Sequence, residues 1–376
     1  MNSVVAHLKN LVSIPSVSSV SNRAVIEYVT GTLRKARWQM REIPYVDSVG
    51  IDKINLIAAP PGQNVQDPQA QLAFVCHTDT VPYSANWKEA TNPFVAEDRL
   101  HGCGACDVKG FLACLLTAIS QVVSSAFIDG LRLVFTADEE IGCIGMTHVL
   151  ESGLIKPRRA IVGEPTSLKP ARAGKGYCLA EITVFGQEAH SALPQNGKSA
   201  IYRAARLIHA IEEFAQKIAQ DQHEFFDPGF TTINVGTIHG GTAKNIIPGQ
   251  CTFQLEWRPI PSQSAETIPT AVSDIVEKLM RDDPDFRWNM EIVRRQDGFE
   301  TAAGSQLVET MRTLAGRQAT SIAFASEASL LAHVAEEVIV FGPGDMHTAH
   351  SSRECIPLSE LDEAVTILKS LMTAGE

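Results

Sequence analysis

The chain has 376 residues, a formal net charge of −11 and a pI near 5.5. It is longer than one typical domain and apolar enough to bury real cores, so two domains are expected. An acidic chain lacks the basic face that a nucleic-acid partner requires. No apolar run approaches the roughly 20 residues that span a bilayer. The start, Met1–Asn10, has no basic region leading into an apolar core, so neither a membrane partner nor a signal peptide is expected. The eight cysteines are scattered, several of them in apolar runs. They read as free thiols of a reducing, cytoplasmic location and not as a disulfide framework.

In chain order, Val4 to Val12 has apolar residues at helical spacing and stops at Ser13-Ile14-Pro15-Ser16, and Asn22 to Ala36 has the pattern of a second amphipathic helix. Both read as cover for a sheet. Ile54–Ala58 is a strand candidate, and the turn-rich segment from Pro60 to Gln69 leads to the apolar run Ala73–Cys76. His77 and Asp79 leave the C-terminal end of that run, which is where open α/β sheets hold their ligands. A lone histidine there is more often a core residue with its hydrogen bonds satisfied, so its meaning depends on what else arrives.

Further groups arrive in the same context. The glycine-rich loop Leu100–Gly110 precedes an apolar helix over roughly Phe111 to Val122, and it carries Asp107, which suits either an N-terminal cap or a carboxylate bridging two metals. Cys103 and Cys106 have C-x-x-C spacing, but without a second pair they read as packing cysteines. The strand Leu131–Phe135 runs into Asp138-Glu139-Glu140, and the residues that follow, Ile141 to Gly145, are too apolar for a plain surface loop. Adjacent carboxylates repel unless a cation or a proton intervenes. A metal beside Glu140 and a proton exchanged at Glu139 would satisfy both, which is the pattern of a metal hydrolase with Glu139 as general base. A third strand, Ala160–Val162, ends in Glu164, and a fourth, Val338–Phe341, leads through Gly342-Pro343-Gly344 to His347 and His350. Four strands that each deliver an imidazole or a carboxylate past the same end imply one shared rim.

From Tyr177 the texture changes. Strands over Leu179–Phe185, Thr231–Thr237, Cys251–Trp257 and Trp288–Val293, with helices over Ala200–Ala215 and Thr270–Met280, make a mostly antiparallel sheet under two helices. Glu164 precedes this block and His350 follows it. If both serve one site, the block is an insertion, and the expected division is a discontinuous catalytic domain, 1–176 and 296–376, around an inserted α/β sandwich, 177–295.

The set Val75–Pro82, Gly104–Gly110, Thr136–Glu140, Gly163–Thr166 and Ala349-His350, in that order and across nearly the whole chain, resembles the M20 metallopeptidase family of zinc-dependent deacylases and exopeptidases. Within it, Val162–Gly176 and Phe324–Ala328 are most similar to the proteobacterial branch that deacetylates N2-acetyl-L-ornithine. The arginine-rich segment that succinyl-diaminopimelate desuccinylases carry after the Glu164 position is absent.

The resemblance implies an α/β fold with a mostly parallel-sheet, zinc-peptidase-type catalytic domain and a smaller dimerisation or lid domain. It implies two Zn2+ ions, replaceable by Co2+ or Mn2+, one held by His77, Asp107 and Glu164 and the other by Asp107, Glu140 and His350. Asp79 would orient His77 through a hydrogen bond, and Glu139 would be the base and later the acid. His190 would reach a partner subunit's active site and help stabilise an oxyanion. Asn245 and Arg258 would grip the substrate carboxylate, for which a guanidinium fork is suited. The ligand is assigned to His350 because the family places it in Ala349-His350, ahead of an acidic position filled by Glu354; His347 either shapes the pocket or has no role.

The implied activity is hydrolysis of a small N-acyl amino acid, N2-acetyl-L-ornithine first, in arginine biosynthesis, by a homodimer joined through the inserted domain. Acetylcitrulline, succinyl-diaminopimelate and dipeptides, as in M20 dipeptidases and carboxypeptidases, are alternatives. A non-catalytic binding or dimerisation member is the alternative of a different class. An uncoordinated base at Glu139 has no use in a purely structural metal site, which argues against it.

Overall fold

A computed structural model describes residues 3–123 and 126–373. The elements are α1 (Ser3–Val12), α2 (Arg23–Lys35), β1 (Gln39–Val46), β2 (Asp52–Ala59), β3 (Gln69–His77), β4 (Phe94–Ala96), β5 (Arg99–His101), α3 (Lys109–Gln121), β6 (Leu131–Thr136), α4 (Ile144–Glu151), β7 (Lys156–Val162) and β8 (Ala171–Gly174). They continue with β9 (Cys178–Phe185), β10 (Ala189–His190), α5 (Ala200–Ile218), β11 (Thr232–Gly240), β12 (Ile246–Ile247), β13 (Gln250–Arg258), α6 (Thr267–Asp282) and β14 (Arg287–Arg294). The remainder are β15 (Phe299–Glu300), α7 (Gln306–Ala315), β16 (Thr320–Ile322), α8 (Ala328–Leu331), β17 (Glu337–Val340), β18 (Cys355–Pro357) and α9 (Leu358–Thr373).

The described chain forms two compact units. One comprises the residues up to Ala173, Glu300–Thr320 and those from Ser326 on; the other comprises Gly174–Phe299 and Ser321–Ala325.

The first unit is built on a mixed sheet with strand order β1-β2-β6-β3-β7-β17-β8. Its centre is parallel, with β3 between β6 and β7, and β17 beside β7. Every residue of β6 is buried, as in strands covered on both faces. Alternation decides which side chain goes where. Leu72, Phe74 and Cys76 of β3, with Leu131, Leu133 and Phe135 of β6, join the core formed with α1, α2, α3 and α9. Helix α3 is buried without a break from Lys109 to Ile119, so it is the central helix of that layer, apolar all round. It begins two residues before its expected start because Gly110 lets the first turn approach the Ala105 carbonyl, where a Cβ would lie 2.6 Å from the oxygen.

Among the elements outside the sequence-based expectation are β1 and α9. Strand β1 is an edge strand paired only with β2, and its exposed, charged residues and Pro44 hide the strand signal. Helix α9 buries Leu361, Val365, Leu368 and Met372, a helical spacing that was readable.

The second unit has the expected antiparallel sheet, ordered β11-β13-β9-β14 and covered by α5 and α6. Alternate residues of β9 and β13, among them Ile182, Val184, Phe253, Leu255 and Trp257, pack with Leu207, Ile211, Val272 and Val276. Strand β11 is an edge, largely exposed, with Ile238 and its neighbours facing outward.

One contact of the first unit bears directly on the rim. Gly163, immediately after β7, lies against the buried Phe111 ring, and a Cβ there would sit 2.1 Å from Phe111 Cδ1. Because a ring in a packed core cannot retreat, Gly163→Ala is expected to lower stability by about 1–3 kcal/mol. Urea unfolding should show an earlier midpoint with an unchanged slope, and Gly163→Ala combined with Phe111→Leu should regain much of the loss; an alanine variant as stable as the parent would contradict this packing.

Candidate metal centre

The parallel strands bring their C-terminal ends to one rim, and the side chains expected there converge. His77 is the last residue of β3, Asp138-Glu139-Glu140 follow β6, and Glu164 follows β7. Asp107 comes from the loop before α3, and His350 from the long loop after β17. The Nε2 atom of His77 lies 3.2 Å from Asp107 Oδ1 and 4.0 Å from Glu164 Oε1. The Nε2 atom of His350 lies 3.1 Å from Asp107 Oδ2 and 3.2 Å from Glu140 Oε2. Asp107 therefore faces one imidazole with each carboxylate oxygen, which is how a carboxylate bridges two cations. Two overlapping groups have ligand atoms close enough to share an ion: His77 with Glu139 and Glu164, and His77 with Asp107 and Glu140.

Crowding sets the electrostatics. Burial, with Asp107 adding, pushes the Glu164 and Glu140 carboxyls up. Burial pushes Glu139 up to about 7, with His77 opposing and Glu140, Asp79 and Asp107 reinforcing the rise. Burial acts in the same direction on Asp107, but the hydrogen bonds from His350 and His77 outweigh it and hold that carboxyl below its ordinary range. The bonds to Asp107 and Glu140 raise His350 to about 10. These are the signs of an anion-rich cluster that is short of positive charge.

The residues fit divalent cations. Glu140 Oε1 is fully buried without a hydrogen-bond partner, an arrangement a cation would satisfy. The donors are imidazole nitrogens and carboxylate oxygens, which suit zinc, manganese or cobalt.

Groups around the rim hold these donors in place. The Nδ1 atom of His77 lies 3.0 Å from the backbone carbonyl of Asp79 and 3.6 Å from that residue's carboxylate. The carbonyl accepts the Nδ1 proton with the Asp79 carboxylate beside it, so Asp79 orients the ring, while Nε2 faces Asp107. The Asp79 carboxylate also accepts from the backbone N–H of Glu139 (3.1 Å) and of Glu140 (3.3 Å) and from the Ser18 hydroxyl (2.7 Å). Glu354 Oε1 accepts the amides of Cys106 and Asp107, each at 3.0 Å, and so fixes the loop that presents Asp107. The Cys143 thiol donates to Glu139 Oε1 at 3.3 Å.

Other residues fall outside the cluster. The His347 side chain is 93 % exposed and bonds to Asp345. Cys103 and Cys106 are buried free thiols, and neither belongs to the groups that could share an ion. His190, Asn245 and Arg258 belong to the second unit. There, β10 pairs with β12, Ser191 N–H donates to the Asn245 carbonyl at 3.0 Å, and Ala192 N–H donates to His190 Nδ1 at 3.1 Å. Accepting at Nδ1 leaves the His190 proton on Nε2. The Arg258 guanidinium lies 4.7 Å from the Tyr177 ring centroid and bonds to Glu256 at 2.8 Å.

Sequence reasoning missed two kinds of neighbour. Glu327 is wholly buried and pushed up to about 8 by burial, with the Thr136 hydroxyl opposing and Glu139 adding. It lies within the quoted segment Phe324–Ala328, but no spacing rule tied it to β6. Lys53 and Tyr45 are both bonded to Asp138; Lys53 precedes a run that showed packing only, and Tyr45 lies on β1, which had no strand signal.

Such a rim on such a sheet is the signature of a metal-dependent hydrolase, and comparison with known proteins specifies it. The model of Peptidase family M20/M25/M40 matches residues 73–374, so the chain belongs to the M20 family of metallo-hydrolases. A protein of Myxococcus xanthus named acetylornithine deacetylase is 40 % identical over 364 residues, covering 96 % of this chain and 95 % of its own. A protein of the same name from Aliivibrio fischeri is 30 % identical, covering 87 % of this chain and 86 % of its own. Among solved structures, a Staphylococcus aureus tripeptidase superimposes with a TM-score of 0.78 at 22 % identity, over 99 % of this chain and 97 % of its own. A Sulfolobus solfataricus M20 metallo-carboxypeptidase gives 0.73 at 16 %, over 99 % of both chains; these two show the shared fold.

Because the rim gathers more negative than positive charge, chelation should destabilise the protein and metal should restore it. With free metal at 1,000 times its dissociation constant, the gain is about 4 kcal/mol. Thermal melts before chelation, after it, and after adding back Zn2+, Co2+ or Mn2+ would measure this; a melting temperature indifferent to metal would argue against a cation site here.

Proposed function

We propose that this protein hydrolyses N2-acetyl-L-ornithine to L-ornithine and acetate with two divalent cations at the rim, His77, Asp107 and Glu164 holding one and Asp107, Glu140 and His350 the other. The supporting observation for the chemistry is Asp107, which offers one oxygen toward His77 and the other toward His350; Glu139, close to His77 and Glu164, is assigned the acid–base role. Support for the substrate comes from the name of the 40 % identical relative from Myxococcus xanthus.

The cations, zinc or their replacements cobalt and manganese, would supply a nucleophilic hydroxide near neutral pH and Lewis-acid pull on the acyl carbonyl. Glu139 takes the proton of the attacking water, and the same proton passes to the leaving nitrogen as the carbon–nitrogen bond breaks. The backbone bond from Glu139 to Asp79 and the Cys143 thiol fix this carboxylate while it exchanges the proton. Arg258 and Asn245 bind the substrate α-carboxylate, and the Nε2–H of His190 donates to the developing oxyanion.

His190 acts in a partner subunit, in a homodimer formed through the second unit, which also serves as a lid. The outward-facing edge strand β11 is the surface suited to pairing with a second copy. Residues 1–176 and 296–376 make the catalytic domain and 177–295 the inserted one. No described helix is long and apolar enough to cross a membrane, and the eight cysteines are free and buried. A cytoplasmic enzyme of arginine biosynthesis fits both facts.

The Glu139→Gln variant should keep its metal content and lose about 10²–10⁴-fold in kcat. Metal analysis beside a substrate panel of acetylornithine, acetylcitrulline, succinyl-diaminopimelate and dipeptides tests both halves of the proposal. Undiminished turnover by Glu139→Gln would sink the mechanism, and preference for another member of the panel would sink only the substrate.

A further inference from the structure

Lys53 is one of the largest fully buried side chains of the chain and lies on β2, away from the cluster of ligands. A buried ammonium needs three acceptors, and this one has them: the carbonyls of Ser18 and Val20 and, at 2.6 Å, Asp138 Oδ1. Asp138 is itself fully buried, and its second carboxylate oxygen accepts the Tyr45 hydroxyl at 2.6 Å. Its backbone is in the left-handed region, with φ of 55°, so the turn between β6 and Glu139 is one that few side chains adopt unaided.

These contacts close a ring. Lys53 joins Asp138 to Ser18. The Ser18 hydroxyl joins the Asp79 carboxylate, and Asp79 receives the N–H groups of Glu139 and Glu140, which follow Asp138 directly in the chain. On the proposed reading of the site, the inner members of this ring are a metal ligand, Glu140, the acid–base group, Glu139, and the residue whose carbonyl orients His77.

We propose that Lys53, through the closed hydrogen-bonded ring Lys53–Asp138–Glu139–Asp79–Ser18, is a positioning residue that sets the placement of the Glu139 carboxylate relative to the metal ligands. The inference rests on the proposed role of Glu139. A purely structural ion pair would hold β2 to the turn, and any pair of neutral groups of similar shape would serve equally well. A positioning ring requires the specific link from Asp138 to Ser18, because an acid–base group displaced by a fraction of an ångström transfers its proton poorly.

The test uses the metal-loaded enzyme and four variants: Lys53→Met, Asp138→Asn, the two combined, and Glu139→Gln. Each is assayed for kcat, KM, bound metal and melting temperature. Lys53→Met is expected to lower kcat about 100-fold with KM and metal content little changed. The double variant removes both buried charges, so it should melt well above Lys53→Met while kcat stays low, because the ring is still open. If the double variant regains kcat along with stability, Lys53 is structural and the inference falls. If Glu139→Gln is inactive while Lys53→Met keeps full kcat, the inference falls and the role of Glu139 stands. If Glu139→Gln retains activity, the reading of the site falls first. Should Lys53→Met fail to fold, the double variant alone decides.

Discussion

Like charge held out of water governs this structure. Asp107, Glu139 and Glu164 are buried, and Glu140 half-buried, within a few ångströms of one another, with the imidazoles of His77 and His350 between them. In a medium of reduced polarisability such carboxylates cannot all stay ionised unless cations intervene. The upward pressure on Glu139, Glu140 and Glu164, and the strong hydrogen bonding that holds Asp107 down, are two responses to that constraint. The same constraint explains the architecture around the rim. Parallel strands place their C-terminal ends side by side, so side chains far apart in sequence are concentrated at one rim.

The support of the rim is largely backbone. Asp79 and Glu354 each accept two main-chain amides, of Glu139 and Glu140 in one case and of Cys106 and Asp107 in the other. A carboxylate that binds two successive amides fixes the direction of the turn and hence of the side chains the turn carries. Both supports are carboxyls set beside a negative cluster, and burial with Asp107 adding pushes Glu354 up to about 7. The main-chain N–H dipoles that stabilise them are already in place, so the ligands are oriented by groups that do not themselves occupy a coordination position.

The parts that sequence made legible are those governed by local pattern. Apolar runs of strand length ending in His77, Asp138-Glu139-Glu140 and Glu164 showed both the sheet and its functional edge, because alternation and chain direction are written residue by residue. Asp107 and His350 stand out by position, past a glycine-rich loop and a strand end, but the choice of cap against bridge for one and of His350 over His347 for the other comes from the family resemblance, since loop residues have no periodicity of their own. What stayed hidden depends on contacts between distant segments. Lys53 looks like an ordinary polar residue at the start of a strand, and only the fold shows it reaching Asp138 and the Ser18 carbonyl. Glu327 precedes a four-residue helix, α8, and nothing in its neighbours announces full burial. Asp79 shows what residue type leaves out. Its carboxylate lies beside His77 as expected, but the shorter contact is from its backbone carbonyl, and the carboxylate also binds the turn after β6, which no local pattern announces.

The two units also differ in how much is arranged in advance. In the first, most of the cluster is buried, and His77 and the loop carrying Asp107 rest on Asp79 and Glu354, which are buried too. In the second, His190 and Asn245 are exposed at a two-residue ladder between β10 and β12, yet the His190 tautomer is already fixed by the Ala192 amide. An exposed imidazole that keeps its proton on Nε2 is suited to donate to an incoming oxygen and gains nothing in stability from being so placed. The contrast follows from solvation: carboxylates that repel one another are held in the first unit by burial and main-chain amides, whereas the His190 imidazole of the second is left at the surface with one ring nitrogen already committed.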